Sequence, residues 1–353
     1  MNTGNVSKLL DISIKTLRLY EDYGIVVAKR DSNDYRNYNE EDINKLKQAK
    51  LLRDLGVPLK NVKYILEEKF LDNKVVRELN VQYKVVEKRL GELESIKNTL
   101  LTSINDALVS EEDNSNIYFN NINRCLDNNL KNRKTWIDKW GFDRWAESYD
   151  KSVKDILDDK LNLFEKYEYV LEIIAKKIEE QRVSKILDIG CGTCNLYNKL
   201  NKNIDYTGMD QSIEMLLKAK EKFPNLKLRL GNFLDRPFEE NEFEVITSTY
   251  AFHHLNDLEK EIAINYMLKY LKANGKIIIG DLMFENYSER IKKRDSLIQA
   301  GRPDLWEEIE DEYYSDIQKL KKYSEILGCK VKYQHIVNLT WIVEIIKLED
   351  DFL

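Results

Sequence analysis

The sequence predicts a multidomain chain. An all-α winged helix-turn-helix head is followed by one long coiled-coil helix and then an α/β Rossmann-like body, whose mostly parallel sheet ends in an antiparallel hairpin. Three observations predict this. Residues 1–70 read as short helices broken by turns at Asp11-Ile12-Ser13 and Arg30-Asp31-Ser32-Asn33-Asp34. Residues 73–108 hold no proline, a single glycine and an apolar series stepping by threes and fours. From about residue 135, short apolar runs alternate with amphipathic stretches, the pattern of a parallel α/β sheet.

In the head, Val6–Leu10 offers an apolar face, Asp11-Ile12-Ser13 makes a tight turn, and Ser13 is placed to cap a second helix. That spacing would present Lys15, Thr16 and Arg18 to a groove. A helical interaction module with packing tyrosines is the plainer reading of the same residues. The continuation is more specific: Leu17-Arg18-Leu19-Tyr20-Glu21-Asp22-Tyr23-Gly24-Ile25-Val26, then Asp34-Tyr35-Arg36-Asn37-Tyr38, then Glu41-Asp42-Ile43 and Leu51-Leu52-Arg53-Asp54-Leu55-Gly56-Val57-Pro58-Leu59.

These runs, over roughly residues 3–70, closely resemble the MerR family of bacterial transcription regulators. The resemblance implies a recognition helix and a wing that grip double-stranded DNA at a pseudo-palindromic operator. With Lys15, it makes Arg18, Tyr20, Tyr35, Arg36 and Tyr38 the DNA-contacting candidates, since guanidinium and phenol groups fix phosphates while helix residues read base edges. Two positions depart from the family: Leu19 replaces an aromatic, and Asp34 stands where the wing has glycine.

The long helix carries Val76, Leu79, Tyr83, Val86, Leu90, Leu93, Lys97, Leu100, Ile104 and Ala107 at coiled-coil spacing, with only Lys97 breaking the apolar series. The expectation is a homodimer through residues 73–108. The alternative is a single helix packed on its own domain. The domains are then 1–70 (head), 71–109 (dimerisation helix), 110–134 (a linker beginning Ser110-Glu111-Glu112-Asp113-Asn114-Ser115-Asn116) and 135–353 (body).

The body's strand candidates are Lys185–Ile189, Tyr206–Met209, Leu226–Leu230, Phe243–Thr247 and Lys276–Ile279. Lys330–Val337 and Thr340–Lys347 form a hairpin about Asn338. Lys185-Ile186-Leu187-Asp188-Ile189-Gly190-Cys191-Gly192-Thr193-Cys194-Asn195 reads as a buried strand ending in a glycine turn that opens a helix. Glycine allows close backbone approach to a ligand, and a helix N-terminus favours a carboxylate. Asp210 ends the next strand, where an acid would chelate ribose hydroxyls. A dinucleotide site fits that much equally well.

Three further stretches narrow the choice: Trp145-Ala146-Glu147-Ser148-Tyr149-Asp150, Gly231-Asn232-Phe233, and Ser248-Thr249-Tyr250-Ala251-Phe252-His253-His254-Leu255. With the final hairpin they resemble class I S-adenosyl-L-methionine (AdoMet)-dependent methyltransferases, and within them the YrrT type acting on small molecules. This likeness covers roughly residues 138–350, including Asp311-Glu312-Tyr313-Tyr314 and Trp341. It implies that Gly190 and Gly192 border the methionine portion of AdoMet and that Asp210 holds the ribose. Met209 and Ile213 would lie beside the adenine, Asn232 and Phe233 at its edge and face, and Trp145 and Tyr149 in a lid. Tyr250, His253 and His254 would face a small-molecule methyl acceptor, with a histidine as general base. The plainer reading of each histidine is a cap on the following helix. Two positions depart: Cys194 replaces the third glycine, and Asn232 the usual acid near the adenine.

Composition limits the alternatives. No stretch approaches the roughly 20 apolar residues of a membrane span, and the N-terminus lacks the layout of a signal peptide, so a cytoplasmic protein is expected. Net charge is −6, but residues 1–70 hold 13 basic and 11 acidic side chains, a weakly basic head on an acidic body. Cys191 and Cys194 lack a second pair, and no metal is expected. Where nucleic-acid methyltransferases carry an Asn-Pro-Pro-Tyr-type loop, this chain reads Ser248-Thr249-Tyr250-Ala251. The leading reading is a MerR-type regulator whose body methylates a small molecule. The alternatives are an AdoMet-sensing regulator with an inactive methyltransferase fold, and a plain methyltransferase with a relic head.

Overall fold

The computed structural model describes residues 1–30, 35–67, 73–109, 141–154, 160–180 and 183–348. The wing-tip Asp34 and the expected linker 110–134 lie outside them. Contacts divide the chain into Met1–Ile137 and Asp138–Leu353.

In the first unit, α1 (Thr3–Leu10) ends at Asp11, which turns the chain at φ 50°. Ser13 Oγ accepts the Thr16 amide at 3.0 Å, so the expected cap does start α2 (Ile14–Asp22). Strands β1 (Lys29–Arg30) and β2 (Arg36–Asn37) pair antiparallel, adding a small sheet to a head that reads as all-helical. Asn39 and Asp42 form a reciprocal capping box that opens α3 (Glu40–Asp54), and α4 (Leu59–Glu67) follows. Val6, Leu17, Leu46, Ala49, Val57 and Val62 lose all exposure in one core. The expected long helix is α5 (Asn73–Val109), whose 37 residues span about 55 Å. Its seam residues Val76, Leu79, Tyr83, Val86, Leu90, Leu93, Leu100 and Ile104 are all exposed.

The second unit is built on a sheet of order β5-β4-β3-β6-β7-β10-β9. Strands β3 (Lys185–Ile189), β4 (Asp205–Asp210), β5 (Lys227–Leu230), β6 (Phe243–Thr249) and β7 (Leu271–Phe284) run parallel. The final hairpin, β9 (Cys329–Val337) and β10 (Thr340–Lys347), inserts β10 antiparallel beside β7. Its turn is at Asn338, φ 47°. β8 (Ser315–Asp316) pairs with the end of β7.

From β3 the chain lays β4 and β5 on one side, then returns to lay β6 and β7 on the other. The crevice over the carboxyl ends of β3 and β6 is therefore the switch point at which α/β sheets bind ligands. Buried on one flank, Val170 and Ile174 of helix Tyr167–Glu179 press on β7 at Gly280. A Cβ there would lie 2.5 Å from Ile174 Cδ1. That absent side chain sets how closely the helix meets the sheet.

Candidate active site

The glycine loop hangs from two strand ends. Gly190 and Cys191 donate their amides to the Met209 carbonyl, at 2.8 and 3.2 Å. Gly190 sits at φ 72°, and a Cβ added to it would lie 2.4 Å from Ala251 Cβ and 3.7 Å from the Phe233 ring. The ends of β3 and β6 and the Phe233 ring thus converge on one residue that has no room for a side chain. The Gly192 amide donates to Asp210 Oδ2 and the Ser212 amide to Oδ1, each at 2.8 Å. Burial raises the Asp210 carboxyl to about 6 despite those two amides.

Three expectations change here. No α-helix opens after the loop. Cys194 takes φ 59°, outside the helical range, and only a short 3₁₀ turn, Leu196–Lys199, follows. A helix dipole is therefore not what this loop offers a carboxylate. Met209 is 1% exposed with its sulfur against Gly231, so it serves through its carbonyl and its side chain belongs to the core. The thiol of Cys194 is accommodated by Gly208, where a Cβ would meet Cys191 Sγ at 2.9 Å and Cys194 Sγ at 3.2 Å. Gly208 is a partner that sequence spacing did not reveal. Burial, with the neighbouring thiol, pushes Cys191 well above the usual thiol range.

Residues 142–152 lie against this loop. The Trp145 and Tyr149 rings meet edge-on at 4.8 Å, and the Tyr149 ring stands 3.6 Å from where a Cβ of Gly192 would be. Asp150 accepts from Thr193 Oγ1 at 2.5 Å, Asn195 Nδ2 at 3.0 Å and Lys222 Nζ at 2.8 Å. Asp143 accepts from Ser212 Oγ at 2.7 Å. Two carboxylates thus clamp the segment to the glycine loop and to the turn after Asp210. Sequence reading named the aromatics and missed these polar anchors.

Asn232 Oδ1 accepts the Leu234 amide at 2.8 Å, which commits that oxygen to its own turn. Ile213 is nearly buried as the first residue of helix Ile213–Lys222. Tyr250, at φ 52°, packs among Phe164 and Tyr167, with its hydroxyl 3.4 Å from Thr340 Oγ1.

The histidines are not helix caps: Asn256 caps helix Asp257–Tyr270, in a box with Glu259. His253 is 7% exposed and fixed twice to Asp281 of β7, through its amide at 2.7 Å and Nδ1 at 2.5 Å. Burial disfavours its charged form, but the Asp281 carboxylate outweighs that and raises it. His254 Nδ1 lies 3.2 Å from Glu312 Oε2. Burial, with His253 beside it, lowers His254 to about 4, so it is neutral at physiological pH. Tyr314 packs edge-on against His253, whereas Trp341 packs at a tilt against His335 within the hairpin.

Comparison with known proteins matches this architecture. Residues 186–275 match the model of a family described as "Methyltransferase domain", and residues 1–69 match "MerR HTH family regulatory protein". An uncharacterised methyltransferase of Anoxybacillus flavithermus is 34% identical over 207 residues, 58% of this chain and 96% of that protein. The chain belongs to the methyltransferase family. An uncharacterised methyltransferase of Bacillus pumilus is 35% identical over 211 residues, covering 59% of this chain and 96% of its own length. A solved SAM-dependent methyltransferase of Aquifex aeolicus is matched over 57% of this chain and 98% of its own at 16% identity, with a TM-score of 0.40. The methyltransferase body therefore follows a MerR helix-turn-helix head in one chain.

Within that MerR head the six sequence candidates separate. Lys15 and Arg18 are exposed along α2, and Tyr35 is 70% exposed beside the wing. Arg36 is half-buried, its Nε donating to Glu21 Oε2 at 2.7 Å. Tyr20 and Tyr38 are corrections, at 3% and 1% exposed within the head core. The Tyr38 hydroxyl donates to Glu21 Oε1 at 2.8 Å. Tyr20 packs into the core near Lys50, Arg53 and Asp54 of α3, and Tyr38 ties the end of β2 to α2, so packing holds both rings inside the head. Glu21, missed in the sequence, joins α2 to Arg36 of β2 and to Tyr38.

Proposed function

We propose that this chain is a dimeric MerR-type regulator of transcription whose body binds AdoMet and transfers its methyl group to a small-molecule acceptor. The observation that carries the reading is the joint between the Gly192 amide and the buried Asp210 carboxylate, which sets an acid that would accept ribose hydroxyls beside a loop with glycine at two positions. The residues present fit AdoMet. Asp210 would hold the ribose hydroxyls, Gly190 and Gly192 would border the methionine portion, and Phe233 with Asn232 would meet the adenine. Trp145 and Tyr149 would cover the site and exclude water. Bound AdoMet supplies an activated methyl on a sulfonium, so alignment and dryness account for most of the acceleration. His253, oriented by Asp281, or the neutral His254 would receive an acceptor's proton. Tyr250 borders the same end.

On the head, Lys15, Arg18, Tyr35 and Arg36 would contact double-stranded DNA. The exposed apolar seam of α5 supports pairing with a second copy, which a pseudo-palindromic operator requires. No described helix is long and apolar enough to cross a membrane, and a cytoplasmic site of action follows from binding DNA.

One observation favours the second reading, an AdoMet sensor without catalysis: Asn232 replaces an acid and spends its oxygen on Leu234. Incubation with methyl-labelled AdoMet and fractionated small-molecule extract separates the two. Transfer of label supports the enzyme. Binding of AdoMet with no labelled product from any fraction supports the sensor.

A further inference from the structure

We propose that His253, His254 and Glu312 form a binding site for a divalent first-row transition-metal ion at the carboxyl end of β6, with Asp281 as the carboxylate that orients His253. The three side chains offer one donor atom each, all within 4.8 Å of one another. Zinc and its neighbours bind imidazole nitrogen and carboxylate oxygen at about 2.0–2.2 Å, which puts two ligands of one ion roughly 3.3 Å apart. His254 Nδ1 and Glu312 Oε2 already stand at that separation, 3.2 Å.

Two independent features make this more than a chance cluster. Asp281 takes Nδ1 of His253 at 2.5 Å and its amide at 2.7 Å, which leaves Nε2 as the atom His253 can give an ion. That carboxylate–imidazole arrangement is the one that fixes tautomer and orientation behind metal-ligating histidines. Second, the stretch bearing Glu312 is fastened to the histidines. The Tyr313 amide donates to the His253 carbonyl at 3.0 Å, and Lys260 Nζ donates to the Tyr313 carbonyl. The ligands are therefore held together before any ion arrives.

The charges agree. Asp281 and Glu312 contribute two negatives against the Lys260 cation, with the imidazoles neutral when they ligate. Two imidazoles and one carboxylate suit Zn²⁺, Co²⁺, Fe²⁺ or Ni²⁺ rather than Mg²⁺ or Ca²⁺. Three protein ligands leave coordination positions open to an oxygen donor. The inference does not depend on AdoMet binding, and an ion held here would take the ligating imidazole nitrogens out of the proton-accepting role proposed above.

The test is titration of Co²⁺ into the chelator-treated full-length protein, followed by visible absorption and then competition by Zn²⁺. A saturable band at one ion per chain is expected, lost on adding Zn²⁺. Asp281→Asn should weaken binding by roughly 10–100-fold, the usual cost of losing an outer carboxylate. Glu312→Gln and His254→Gln should weaken it at least as much, with circular dichroism confirming that each variant folds. No Co²⁺ or Zn²⁺ binding by wild type overturns the proposal. So does binding that survives both Glu312→Gln and His254→Gln, or a thiolate charge-transfer band, which would place the ion at Cys191 and Cys194.

Discussion

The Gly192 amide donates to the Asp210 carboxylate at 2.8 Å, so the glycine loop and the acid at the end of β4 are one unit. Removing the acid would loosen the loop and, on the proposed reading, lose the ribose partner as well. A hydrogen bond to a charged group contributes about 1.5–3 kcal/mol, so Asp210→Ala should weaken AdoMet binding by roughly tenfold to a hundredfold. Calorimetric titration at pH 8 measures it.

The same carboxyl has been raised to about 6 by burial, and in the proposed site it is the ionised form that would accept the ribose hydroxyls. AdoMet affinity should be flat above pH 7 and fall as pH drops through about 6. Titrations from pH 5 to 8 in one ionic strength check this. An unchanged affinity at pH 5 would exclude Asp210 as the ribose acceptor.

Gly190→Ala should abolish cofactor binding. Its Cβ would fall 2.4 Å from Ala251 Cβ at φ 72°, and a non-glycine residue held in such backbone costs about 1–3 kcal/mol before any clash. A lower melting temperature together with loss of the AdoMet isotherm is the expected pair. The double variant Gly190→Ala, Ala251→Gly should regain part of the stability, because it removes the clash and keeps the strain.

Asp188 gives a stability prediction. It is buried with Tyr206 donating to it at 2.5 Å, and burial lifts its carboxyl from 3.8 to about 7. A folded-state value above the unfolded one means that the neutral carboxyl stabilises the fold at low pH. That contribution is lost as pH rises through about 7. The ligand-free wild type should therefore lose melting temperature between about pH 4 and 7 relative to Asp188→Asn, whose side chain does not ionise. Parallel melting curves across that range would show that Asp188 does not titrate there.

On the head, tyrosines of one sequence motif should behave differently. Tyr38→Phe loses its hydrogen bond to Glu21 and should cost about 1 kcal/mol of stability, with little direct effect on DNA affinity. Arg18→Ala should leave melting unchanged and weaken DNA binding, and Tyr35→Ala should weaken DNA binding too. If Arg18 meets a phosphate, its loss should also reduce the salt dependence by about one unit of slope. Fluorescence anisotropy with DNA from the chain's own upstream region, at several salt concentrations, separates the two effects.

Much of this molecule could be read along the chain because the signals are local. A capping serine at Ser13, an apolar run ending in Gly190 and a hairpin turn at Asn338 each state their geometry within a few residues. What stayed hidden is what the fold brings together across long separations. His253 meets Asp281 28 residues on, His254 meets Glu312 58 residues on, and Thr193 meets Asp150 43 residues earlier. Burial was also misjudged where a motif residue can serve either core or surface. Tyr20, Tyr38 and Met209 carry the right chemistry, but packing turned them inward. Cys194 was read as a substitution in its own loop, whereas the space that admits its thiol is provided by Gly208 on the neighbouring strand.

The most direct test is calorimetric titration of AdoMet into the full-length wild type and into Asp210→Ala, at pH 8. Saturable binding to wild type, weakened roughly tenfold or more in the variant, is predicted. No binding by wild type, or equal isotherms for the two proteins, would contradict the assignment of the Gly190–Gly192 loop and Asp210 as the cofactor site.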